Sequence, residues 1–178
     1  WKPKNYQNKF FGPSTLRRGI EQSRNVMTVR LANELGMAKI IDLATRLGIY
    51  DKLPSQLAMA LGAGETTLLK MVTAYAMIDN SGKRVEPTLI DRIQDRYGKT
   101  IYKHDKRDCS NCMAPDWTPN LPEPELLDVS DQVMNPYTAY QITSMMEGVV
   151  QRGTGKKVLA VGKPVAGKTG TSNDERDA

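Results

Sequence analysis

Lys168 sits in the stretch of this 178-residue chain that offers the most chemistry. Residues 162–169 read GKPVAGKT, which satisfies G-x-x-x-x-G-K-T, the spacing of a turn whose backbone N–H groups cradle phosphate. The same letters run on as KTGTS, where a lysine on a strand would serve a serine nucleophile. The two readings need different neighbours. A phosphate cradle needs a helix opening at Lys168-Thr169, with its positive end aimed at the anion. Gly170, Thr171 and Asn173 are poor helix formers, and Pro164 removes one N–H donor from the supposed loop. Residues 170–178 also leave no strand to supply a metal-binding Asp. A nucleotide-binding turn is therefore the less favoured alternative.

Taken as a strand, Ala166–Thr171 points Lys168 away from Gly167 and Thr169. Gly170 lets a ligand approach the backbone, and the Thr171 N–H can donate to a developing oxyanion. The Thr171 hydroxyl and the Lys168 ammonium both suit a substrate carboxylate. Three letters alone are equally an edge strand with an exposed lysine. A second element, Ser23-Arg24-Asn25, lies at a break between two helical stretches, where side chains can turn toward a cleft. A serine hydroxyl there can relay a proton, and an asparagine amide can hold a peptide group. By itself, S-x-N is equally a pair of helix-capping residues.

The surrounding elements follow from periodicity and stop signals. Pro13-Ser14-Thr15 opens a helix with Ser14 at its cap, and the pattern breaks near residues 23–25. It resumes from Val26 through Leu35 to a stop at Gly36. Met37–Leu47 is amphipathic and ends at Gly48. Thr66 or Thr67 caps a helix over Leu68–Ile78. The segment PTLIDRIQDRYGKTIYKH alternates around a turn at Tyr97-Gly98-Lys99 and reads as a hairpin. Residues 105–135, with Pro115, Pro119, Pro122 and Pro124, read as a long loop. Pro136–Gln151 is a helix, GTG follows at 153–155, and Val158–Val161 and Pro164–Ala166 are short strand candidates. Helices and strands do not alternate as a doubly wound sheet requires.

Composition narrows the function classes. The net charge is +5, but the basic pairs Arg17-Arg18, Lys83-Arg84 and Lys156-Lys157 are scattered and lack aromatic company, which argues against nucleic acid. No run of about 18 apolar residues suits a membrane span. A chain opening on Trp1 without a leader reads as a piece of something longer. Cys109 and Cys112 form a lone C-x-x-C in an irregular setting, which favours a small loop disulfide or two free thiols over a metal site with His104.

Four blocks carry a family likeness: GPSTLRRGIEQSRNV (12–26), LGAGETTLLKMVTAYAMIDNSGKRVEPTLI (61–90), NPYTAYQITSMMEGVVQRGTGK (135–156) and PVAGKTGTSNDERDA (164–178). Together they resemble the C-terminal part of the transpeptidase domain of class A (bifunctional) penicillin-binding proteins. The resemblance implies an α+β fold, helices on a mainly antiparallel sheet, incomplete in this chain. It implies a partial transpeptidase domain over 1–178, with a Pro-rich loop insertion near 105–135. The missing strands beside 164–171 would leave an open edge that invites pairing. By the same resemblance the parent is a serine D,D-transpeptidase that cross-links peptidoglycan stem peptides ending in D-Ala-D-Ala. β-Lactams acylate the same serine. Ser23 would assist proton transfer, Asn25 would bind the donor peptide, and Lys168 would hold Ser23 and the substrate carboxylate. Thr169, Gly170 and Thr171 would line the substrate site. No metal or organic cofactor and no nucleic-acid partner is implied. The parent is expected to be anchored in the bacterial inner membrane, facing the periplasm, with a glycosyltransferase domain upstream.

The family's nucleophile motif, S-x-x-K, is missing. Serines stand at 14, 23, 55, 81, 110, 130, 144 and 172, and none is followed three positions on by lysine. These residues alone are expected to be inactive. The alternative is a non-catalytic peptide-binding or scaffold module of the same fold.

Overall fold

Caps set most of the helix boundaries in the computed structural model, which describes all residues except 7, 108, 110, 111, 113–119, 121, 122, 124 and 172–178. The Thr15 side chain accepts from the Arg18 N–H and opens α1, Leu16–Glu21. The cap is thus one residue later than expected, because the Ser14 hydroxyl donates instead to the Gly12 carbonyl. Helix α2 spans Asn25–Leu35 and α3 spans Met37–Arg46. Gly36 joins them at φ 83°, a left-handed value that glycine adopts without steric cost. Thr67 caps α4, Leu68–Asp79, by accepting from the Lys70 N–H. The Asn135 side chain accepts from Tyr137 and Thr138 N–H at the head of α5, Pro136–Arg152, where proline suits the first turn.

Two compact units emerge. The first combines residues 1–85 with 132–178, and the second is 86–131. In the first unit, α5 packs against α1 and α4, and α2 packs against α3. Leu47, Ala74, Met77, Val133, Met134 and Ala139 form its buried cluster. Gly82 closes this cluster: its carbonyl accepts from the N–H groups of Val133 and Met134, and a Cβ there would stand 2.3 Å from the Met134 oxygen.

The second unit holds the hairpin. Strand β1, Arg92–Gln94, pairs antiparallel with β2, Thr100–Lys103, around a turn closed by the Gly98 N–H to Asp95 O bond. Cys109 and Cys112 form a disulfide. Among the described residues no cluster of His, Cys, Asp and Glu is arranged to hold a metal. None of the described helices is long and apolar enough to cross a membrane.

The architecture is α+β, with a small two-stranded antiparallel sheet among the described residues. Two strand expectations fail. Lys156–Val161 is a 3₁₀ helix ending at Gly162, whose φ is 68°. A four-residue apolar run fits either element, and the left-handed glycine stop decides it here. Residues 164–171 join no ladder; the bonds that fix them come from α5 and the turn after it. Among the described residues, 164–171 therefore form no strand of a sheet.

Candidate active site

The first wall of the site is the break between α1 and α2. Its geometry is a Schellman closure: the Arg24 N–H donates to Gly19 O at 2.9 Å and the Ser23 N–H to Ile20 O at 3.1 Å. That closure needs a left-handed residue at position 23, and Ser23 adopts φ 50°. Glycine usually fills this place; here the position carries a hydroxyl.

Helix α1 is locked to α5 around one buried carboxylate. Glu21 is 3% exposed, and its Oε1 accepts from Arg152 Nη2 at 2.5 Å. Arg17 lies 3.9 Å from the same oxygen and donates to the Ser144 carbonyl and hydroxyl of α5. The helices approach this closely because residue 148 has no side chain: a Cβ there would stand 2.3 Å from Glu21 Oε1.

The second wall is the segment from Gly167 to Thr171. The Gly167 N–H reaches Met146 O of α5 at 3.4 Å. Lys168 Nζ donates to Ser23 Oγ at 2.7 Å and to the carbonyl of Thr169 at 2.7 Å. Lys168 is exposed as a residue, and partial burial of its ammonium pushes its pKa below the ordinary lysine value. The Thr169 hydroxyl lies 2.6 Å from that of Thr154. Gly170 and Thr171 are exposed, and a Cβ at Gly170 would meet nothing within 4 Å, so space above the backbone is open. Asn25, the first residue of α2, turns its amide toward Lys4 O at 3.1 Å. Beside it the Arg24 guanidinium lies 3.4 Å from the Phe11 ring centroid.

The geometry excludes a phosphate-cradling turn. No helix opens at Lys168-Thr169 through residue 171, so no helix N-terminus faces an anion there. Lys168 instead presents a cation to a hydroxyl that comes from 145 residues away in sequence. Ser23 and Lys168 meet, Asn25 lies two residues along the same break, and Thr169 to Thr171 flank the lysine. Sequence reasoning missed Thr154, Glu21 and Arg152. The GTG at 153–155 was visible but had no assigned partner.

A family model described as the penicillin binding protein transpeptidase domain matches residues 1–176. The chain belongs to this transpeptidase family. Within the family, it is 44% identical over 181 residues to penicillin-binding protein 1A of Rickettsia bellii, covering 99% of this chain and 22% of that protein. Against the crystal structure of penicillin-binding protein 1A from Haemophilus influenzae the TM-score is 0.76 at 26% identity, over 97% of this chain and 28% of that one. The PonA1 protein of Mycobacterium tuberculosis, solved in complex with penicillin V, shares the fold at TM-score 0.73 and 21% identity, over 96% of this chain and 43% of that chain. The chain thus spans about a fifth to a quarter of the class A penicillin-binding proteins it matches by sequence.

Proposed function

We propose that this chain supplies two walls of the active site of a serine D,D-transpeptidase that cross-links peptidoglycan stem peptides and is acylated by β-lactams. The 2.7 Å hydrogen bond from Lys168 Nζ to Ser23 Oγ carries the reading. Because the ammonium donates to Ser23 Oγ, the serine keeps its own proton free to give away. The nucleophilic serine belongs to a part of the protein outside these residues. Its attack on the penultimate D-Ala carbonyl forms an ester and breaks the peptide bond. Ser23 hands its proton to the departing D-Ala nitrogen and takes up in its place the proton that the nucleophilic serine gives up. An amine from a neighbouring strand then displaces the serine oxygen, which regains a proton from that amine, and completes the cross-link.

Asn25 binds the donor peptide through its amide, one N–H of which is engaged with Lys4 O. Lys168, Thr169 and Thr171 receive the terminal carboxylate, and the Thr171 N–H serves the oxyanion. Gly170 keeps the backbone accessible. No cofactor takes part in this scheme. The parent protein would work at the periplasmic face of the inner membrane, alongside an upstream glycosyltransferase domain.

Labelled penicillin tests this directly. The full-length protein should gain covalent label, and Lys168→Ala should slow labelling at least about a hundredfold, the cost of one preorganised donor. A full-length protein that never labels would mark a peptide-binding scaffold instead.

A further inference from the structure

Thr154 touches both walls of the site. Its backbone N–H donates to Glu21 O at 3.1 Å, two residues before Ser23. Its hydroxyl lies 2.6 Å from the Thr169 hydroxyl, one residue after Lys168. Thr154 itself is held by a rigid turn. The N–H groups of Gly153 and Gly155 both donate to Val149 O, at 3.1 and 2.9 Å. Gly153 is not free to change, since a Cβ there would stand 2.2 Å from Glu21 O, and at 155 a Cβ would sit tightly, 3.3 Å from Val149 O. The end of α5 thus fixes a threonine between two segments far apart in sequence.

The hydroxyl pair has a polarity that matters. A hydroxyl has one proton to donate. If Thr154 donates to Thr169 Oγ1, the Thr169 proton is left for an incoming carboxylate. With no partner on that side, the Thr169 hydroxyl rotates among three staggered positions, of which only some face a ligand.

We propose that Thr154 is a positioning residue: its hydroxyl orients that of Thr169 toward the substrate carboxylate while its N–H holds the Ser23 wall at the matching distance. This rests on the transpeptidase reading above. The threonine never touches substrate; it acts through Thr169.

The test compares benzylpenicillin with its methyl ester, which lacks the anionic carboxylate, on the full-length protein. In Thr154→Val, acylation by the acid should fall about tenfold or more, the loss expected for one hydrogen bond to a charged group. Acylation by the ester should change little, so the preference for the acid shrinks. Thr154→Ser, which keeps both the hydroxyl and the N–H, should retain the wild-type preference. Thr154→Ala gives the same comparison if the valine variant fails to fold. An equal loss for acid and ester would reveal a general structural role and overturn the inference. So would no loss for either compound, or a serine variant as impaired as the valine one. Wild-type protein that reacts with neither compound removes the transpeptidase reading itself, and this inference with it.

Discussion

Ser23 occupies a backbone conformation that glycine adopts more cheaply. Its φ of 50° closes α1, and a non-glycine residue in that region costs on the order of 1 kcal/mol. The hydroxyl it carries is the partner of the Lys168 ammonium. Stability and chemistry therefore conflict at one residue. Ser23→Gly should raise stability by about 1 kcal/mol in denaturant unfolding while slowing acylation by penicillin about a hundredfold or more. A variant that loses both would show that the hydroxyl also supports the fold. The motif letters around Ser23, Asn25 and Lys168 made this pair legible in the sequence. Thr154 was not legible, because a threonine between glycines has no pattern that names a partner. Its contacts, Glu21 and Thr169, become neighbours only through folding.

At the scale of elements, the α1–α5 contact sets the site. Glu21, Arg152 and Gly148 form one interlock, and α1 carries Ser23 at its end. Gly148→Ala gains roughly 1 kcal/mol of helix propensity. It also drives a methyl against the half-exposed Arg152 and the buried Glu21 carboxylate, and leaving that carboxylate without its partner costs about 3 kcal/mol or more. The expected result is a net loss of about 2 kcal/mol or more, seen as a lower unfolding midpoint. An unchanged midpoint would mean the helices can separate without cost. The helices themselves could be read from the sequence, since threonine and asparagine caps and glycine stops are local signals. Thr67, Asn135, Gly36 and Gly48 all act as such signals do. The hairpin was legible for the same reason. The strands expected at 158–161 and 164–166 were not, because a short apolar run by itself fits either a strand or a turn, and whether it joins a ladder depends on distant neighbours. The Glu21–Arg152 pair spans 131 residues and leaves no local trace.

At the scale of the molecule, the fold's task is to close a gap of 145 residues between Ser23 and Lys168. Helix α5 does most of this. Its body receives α1, its Met146 carbonyl receives Gly167, and the turn after it receives Glu21 and Thr169. The order of elements set aside a doubly wound sheet, and long blocks of residues carried the family and the α+β class it implies. The convergence on α5 was not, since each of its contacts joins distant positions. If the two walls act as one unit, their mutational costs must not add. The most direct measurement is a double-mutant cycle on penicillin acylation of the full-length protein, using Ser23→Ala, Lys168→Ala and the pair. Each single change should slow acylation about a hundredfold or more, and the double should be little slower than either. Fully additive losses would contradict the account, because they would place the ammonium and the hydroxyl in independent roles.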